Sequence, residues 1–386
     1  MRVLACLSLC LLIVWRPTLA QDDPSTILDN PDVIQLAEEG LDLLYNMEFE
    51  AARDRFDALE ARYPEHPAGA FLHALETWWQ ILIDLSDTTY DDQFYREMKT
   101  VLDRSNALIK RNPDDFDSIF FKGAALGFRG RLRSNRDAWF RAARDAQQAL
   151  GLIFDIAEKD TTNADFIFGL GAYHYFAEAL PEKYPIVRPL MGLFPDGDRA
   201  RGLAEMERVA REGRFIKTEA AYFLFQIHYF YQPDYEKCLS YIQQLHERYP
   251  NNALFQVHLG RTHIRWGRWN KAVPLYTDAL SRYRAGQTGY NDRIAEQALY
   301  YLARDQMGKR DAAAARDLLA QLHVLSHQRS NQTFYKTLGT LRLVMVNDAL
   351  GQRSAAEQYY RAVLDLKDYS GAHERAKRYL RQPYAM

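Results

Sequence analysis

His323 and His327 stand four residues apart in the stretch HVLSH. On a helix, positions i and i+4 share a face, so both imidazoles project together and form the best pair of candidate metal ligands in the chain. A metalloprotease motif places a glutamate directly after its first histidine, and a zinc site needs at least one further protein ligand. Val324 follows His323, and no third ligand is identifiable. The expectation is therefore a solvated pair, with no metal and no cofactor.

The other reactive residue types fall the same way. Asp22-Asp23, Asp91-Asp92 and Asp114-Asp115 sit at predicted helix starts or in the N-terminal tail, where carboxylates cap free backbone N–H groups and suit the positive end of the helix dipole. Asp198, ahead of RARGLAEM, reads as another cap, and Arg199 beside it as a salt-bridge partner rather than an anion site. His174, His228, His258 and His263 lie in aromatic-rich stretches, where a neutral imidazole with one hydrogen bond is the ordinary state. GLGAYH, from Gly169, has two glycines of a dinucleotide fingerprint but does not open a helix after a strand, so helix packing explains it. No Gly-x-Ser-x-Gly, Walker loop or zinc-type cysteine pair occurs. The residues point to a protein that is not an enzyme.

Residues 1–20 are set apart from the fold. An apolar run from Val3 to Trp15, preceded by Arg2 and ending near Thr18-Leu19-Ala20, reads as a secretory signal cleaved before Gln21; the alternative is an uncleaved anchor. Cys6 and Cys10 lie inside it, so the mature chain keeps only Cys238 and forms no internal disulfide. The expected organisation is a signal peptide (1–20), a flexible linker (21–30) and one domain (31–383). Export predicts a periplasmic or secreted protein with no transmembrane segment in the mature chain. The whole sequence is 47% hydrophobic with a net charge of −2, enough apolar material for a large core. No long run of one charge sign appears, so a nucleic-acid partner is not expected.

What must position the side chains is a repeat. Shifted by 34 residues, Phe225 falls on Leu259, Tyr235 on Trp269, Cys238 on Ala272, Ile242 on Tyr276 and Leu245 on Ala279. The unit is a helix (254–266), a turn at Gly267-Arg268 and a second helix (270–283). Trp269, Tyr276, Ala279 and Leu280 recur at helical spacing and make one apolar stripe, which only stacking of pairs can bury. Gly260 and Ala272 are expected to face each other where the two helices approach, and Gly267 to end the first helix in the left-handed conformation.

These residues resemble the tetratricopeptide repeat signature: Leu259-Gly260, Trp269, Ala272, Tyr276 and Ala279 match it, whereas Gln256 and His263 replace its early aromatics and no proline closes the unit. The resemblance implies an all-α, tetratricopeptide-like α-solenoid. Related units begin at Gly40, Phe225 and Gly351, with looser ones near Ala68, Asp117, Asp165 and Arg293, giving about eight pairs. Departures from the period read as insertions at 88–95, 129–136 and, most heavily, 180–198. The last, LPEKYPIVRPLMGLFPDGD, holds four prolines and too many apolar residues for a free loop. From about Phe166 to Tyr231 the chain also resembles the eukaryotic tetratricopeptide repeat protein 39 family, through Gly192, Phe194, Gly197, Asp198, Arg199, Gly202 and Leu203. That likeness implies a helical fold and hints at apolar ligands.

In the repeat family the first helix of each pair lines the concave face, where partners bind. On that basis Phe120, Phe168, Tyr175, Phe223, Phe230, Val257, Arg261 and Arg265 are expected to look inward. The Lys/Asn clamp that family members use for acidic tails is replaced by aromatic and small residues. Such a groove suits an apolar peptide, an amphipathic helix or an acyl chain with an anionic end. Either the apolar insertion covers it or it stays open. The leading expectation is an exported scaffold that binds a protein partner at the cell envelope; the alternative is a carrier for a lipid or other apolar ligand.

Overall fold

The computed structural model describes residues 27–159, 163–192 and 194–386. The expected leader, its two cysteines and most of the expected linker lie outside them. Among the described residues there is helix and no strand. The helices are α1 (Pro31–Tyr45), α2 (Phe49–Arg62), α3 (Pro67–Ile83), α4 (Asp91–Arg111), α5 (Phe116–Asn135) and α6 (Trp139–Lys159). Then come α7 (Phe168–Lys183), the single turn α8 (Arg188–Met191), α9 (Arg199–Glu212), α10 (Lys217–Phe230), α11 (Tyr235–Arg248) and α12 (Ala253–Arg265). The chain finishes with α13 (Trp269–Arg284), α14 (Asp292–Gly308), α15 (Ala312–His327), α16 (Phe334–Ala349), α17 (Arg353–Leu364) and α18 (Ala372–Arg381). Leaving α8 aside, successive helices pair into a tetratricopeptide-like α-solenoid of eight hairpins, with α18 covering the end.

The repeat pattern is visible in what stops and seats each helix. Gly267 takes φ +75° and ends α12. A Cβ on Gly260 would lie 2.8 Å from the Tyr276 ring. The close approach expected at Gly260 is therefore to Tyr276 and not to Ala272, which is fully buried elsewhere in the interface. Asp115 and Asp198 cap α5 and α9 through Ser118 N (2.9 Å) and Arg201 N (2.9 Å). Asp91 instead pairs with Arg136 at 2.6 Å, tying α4 to the end of α5. The irregularity expected at 129–136 is not a loop: α5 runs straight through to Asn135, and α4, α5 and α6 absorb the extra residues as added turns of helix.

A simple solenoid touches only its neighbours along the stack. This one also closes on itself. Asp42 in α1 accepts from Arg248 Nη2 (3.0 Å) and from the Tyr249 hydroxyl (2.8 Å), while Asn252 Nδ2 donates to Tyr45 O (2.7 Å). Farther round, Arg329 pairs with Asp84 and Asn331 Nδ2 donates to Ser86 O (2.7 Å). Helix α3, whose Trp78 and Trp79 are both fully buried, lies within the curve and packs on α10 and α12. Trp79 Nε1 donates to Glu219 Oε1 (2.9 Å) across 140 residues of sequence. Among the described residues, no helix is long and apolar enough to cross a membrane.

Candidate functional site

The first helices of successive hairpins face inward, and α3, α5, α7, α10 and α12 together surround a cavity of about 990 Å³. That is the upper end of the range for small-molecule sites. Its wall is mostly aromatic and aliphatic, and it extends into the seam between α6 and α7. Those two helices touch only lightly, whereas α5 and α6, and α7 and α9, are tightly paired. The seam is apolar on both sides. Trp139, Ala143, Ala146, Leu150 and Ile153 run along α6 at helical spacing, facing Gly169, Ala172, Phe176 and Leu180 of α7.

The segment expected to lie against something does so. Tyr184, Val187, Leu190, Met191 and Phe194 all line the cavity, and the Tyr184 ring meets Trp139 of α6 at 6.1 Å between centroids. The insertion thus covers part of the concave aromatics while leaving a large interior volume, an outcome between the open and the filled groove.

Of the residues expected to look inward, Phe120, Phe168, Phe223, Phe230, Val257 and Arg261 line this cavity. Tyr175 does not. It is fully buried with Met206 and Leu224 in the separate core between α7, α9 and α10. Adjacent helix positions differ by about 100°, so Phe176, one residue on, takes the inward place. Arg265 also lies off the wall: its guanidinium stacks on Tyr229 (4.7 Å) and Trp266 (5.2 Å) and donates to Tyr229 O.

The inner wall holds polar residues that the sequence reading missed. On α10, Glu219, Phe223, Gln226 and Phe230 recur at spacings of four, three and four, so they form one stripe along the cavity. Across from it, Arg131 of α5 lies between the rings of Trp78 (5.0 Å) and Phe223 (4.4 Å), and its Nη2 donates to Gln226 Oε1 (3.4 Å). Burial pushes Glu219 above the usual carboxylate range, against the pull of Arg131 and the Trp79 hydrogen bond. Burial, reinforced by Arg261, holds His258 well below the ordinary imidazole value, so this ring is neutral. Burial also pushes Arg131 down, yet a guanidinium stays charged at any physiological pH. The signal for Arg131 was hidden in an arginine-rich stretch that looked like an insertion, because only the closure of the solenoid brings Trp78 and Phe223 around it.

The His323–His327 pair is real as geometry, with ring centroids 3.9 Å apart. His327 Nδ1 is 2.9 Å from His323 O, and burial lowers both rings. Among the described residues, no group of three or more His, Cys, Asp or Glu side chains is placed to hold a metal ion.

No family model matches the chain, and no curated protein matches it. Among solved structures, it is similar to the C-terminal part of a TPR repeat-containing protein from Cytophaga hutchinsonii, with 19% identity and a TM-score of 0.36 over 77% of this chain and 96% of that one. The yeast Tom70 structure aligns at 9% identity and a TM-score of 0.29, covering 92% of this chain and 89% of that one. The TPR domain of P58(IPK) aligns at 15% identity and a TM-score of 0.27, covering 91% and 99%. The solenoid architecture rests on the helix pairing of the chain itself.

Proposed function

We propose that this chain is a non-catalytic, exported binding protein that holds an apolar ligand inside its solenoid. The observation that supports this reading is the cavity of roughly 990 Å³, rich in aromatic side chains and lined on one side by Tyr184, Val187 and Phe194. A largely apolar cavity of this size favours an apolar ligand over water, because each buried CH₂ contributes about 0.8 kcal/mol. Ala172, half-buried on the α7 side of the seam, supplies the test. Native mass spectrometry of the mature protein is expected to show uptake of one apolar ligand, and Ala172→Trp is expected to abolish it with the helical circular dichroism melt retained. Equal uptake by both proteins would refute the cavity as the site.

A protein partner at the cell envelope is the second reading. It is favoured by Phe140 and Ile186, which are 80% and 66% exposed and flank the Trp139–Tyr184 contact. Such apolar exposure suits a docking surface. Export itself rests on the sequence of residues 1–20. N-terminal sequencing of the protein recovered from envelope or medium is expected to begin at Gln21; a chain starting at Met1 would favour the uncleaved anchor, and recovery from the cytosol alone would remove export from the proposal.

A further inference from the structure

Two hydrogen-bond donors deep in the cavity have nothing to donate to. Arg131 Nη1 and Gln226 Nε2 are both shielded from bulk solvent and lack partners. They are neighbours, because Arg131 Nη2 donates to Gln226 Oε1. That bond also fixes the amide: an arginine has no acceptor, so Gln226 must turn its oxygen toward Arg131 and its NH₂ away. Glu219, one to two turns earlier on the same stripe, is only 3% exposed, and its Oε2 is likewise unpartnered.

A half-buried guanidinium with no carboxylate in contact with it is costly to hold against apolar surroundings. No described carboxylate lies within ion-pair distance of Arg131, whereas Arg129 and Arg133 on the same helix both pair with Asp145 at 2.6 Å. Arg131 is held in place by two aromatic faces instead, which fix its direction without neutralising it. Helix α5 therefore has one arginine that is half-buried, positioned between two rings and without a contacting carboxylate, next to an amide donor, at the wall of an apolar cavity.

We infer that the cavity binds a long-chain monocarboxylate, its two carboxylate oxygens accepting from Arg131 Nη1 and Gln226 Nε2 and its aliphatic chain lying along Phe223 and into the α6–α7 seam. This rests on the ligand-binding reading above and names the ligand's chemistry. A carboxylate fits better than a phosphate monoester. The pocket offers two free donors, which matches two oxygens, and the neighbouring Glu219 disfavours a dianion. Burial raises the Glu219 pKa, which lessens its repulsion of a bound monocarboxylate.

The test compares hexadecanoate, 1-hexadecanol and hexadecyl phosphate, each below its aggregation concentration, by isothermal titration on the delipidated mature protein. Hexadecanoate is expected to bind at least about tenfold more tightly than the alcohol, the effect of charge-assisted hydrogen bonds in a dry site. Arg131→Met keeps an apolar stem between the two rings, and Gln226→Leu leaves Arg131 intact. Each is expected to lower hexadecanoate affinity by at least about tenfold and to leave the alcohol within about twofold. Circular dichroism identifies any variant that fails to fold, and the other then decides. Equal binding of acid and alcohol, or variants without effect on the acid, would overturn the head-group assignment while the cavity reading stands. Tighter binding of the phosphate than of the carboxylate would overturn the ligand class. Failure of all three probes to bind would remove the cavity reading as well.

Discussion

Trp79→Ala is expected to lower the stability of the folded chain by about 3–5 kcal/mol, the usual cost of deleting a fully buried aromatic side chain. Trp79 is completely inaccessible, and its ring meets those of Tyr45 (5.3 Å), Tyr222 (5.9 Å) and Phe255 (5.5 Å), which come from α1, α10 and α12. One side chain therefore joins the N-terminal hairpins to the middle of the solenoid. Equilibrium urea unfolding measures the loss. The alanine variant is also expected to split the transition, because hairpins freed from the closure contact unfold apart from the rest.

Trp79→Phe separates packing from hydrogen bonding. It retains most of the ring contacts but leaves Glu219 with neither oxygen partnered, a change expected to cost about 1–3 kcal/mol. The same carboxyl gives the pH dependence its sign. Burial raises the folded-state pKa of Glu219 above its ordinary value of 4.5. The folded chain thus holds a proton that the unfolded chain has lost, and this contribution, fully present below about 4.5, disappears as pH rises through the folded value. Trp79→Phe removes a hydrogen bond that lowers this pKa, so the decline is expected to shift to higher pH. A loss below 1 kcal/mol for Trp79→Ala would mean that the closure is held elsewhere.

Gly202→Leu is the second large effect, and its cause is backbone rather than side chain. A Cβ at position 202 would sit 2.5 Å from Tyr175 N and 2.7 Å from Gly171 O. No rotamer relieves a clash with main chain, so α7 and α9 must move apart, at a cost of about 1–3 kcal/mol or more. That movement opens the core of Tyr175, Met206 and Leu224 and displaces α7, one wall of the cavity. The expected result is a lower melting temperature together with weakened uptake of apolar ligand. Gly151, an exposed position within α6 whose Cβ would touch nothing within 4 Å, is the control. Gly151→Ala is expected to stabilise by about 0.5–1 kcal/mol through helix propensity alone. Equal effects at the two glycines would show that Gly202 marks no close helix approach.

The sequence by itself determined the parts of this protein that depend on neighbours along the chain. The 34-residue offset that superposes Tyr235 on Trp269 also superposes the starts of α11 and α13, because helix periodicity and the turn at Gly267 are local properties. The same local reasoning placed Phe120, Phe168, Phe223 and Phe230 on inward faces, and it misplaced Tyr175, where a rotation of one residue separates the cavity from the α7–α9 core.

Only the tertiary structure decided that the solenoid closes, that α3 enters the curve, and that Arg131 stands unpaired between Trp78 and Phe223. Those facts depend on contacts between residues about 90 to 245 positions apart, such as Arg131 with Gln226 and Arg329 with Asp84. Such contacts arise from the accumulated rotation of successive hairpins, a quantity summed over many packing interfaces. No short pattern of residue types encodes that sum, so the chemistry inside the cavity became legible only once the turns of the solenoid met.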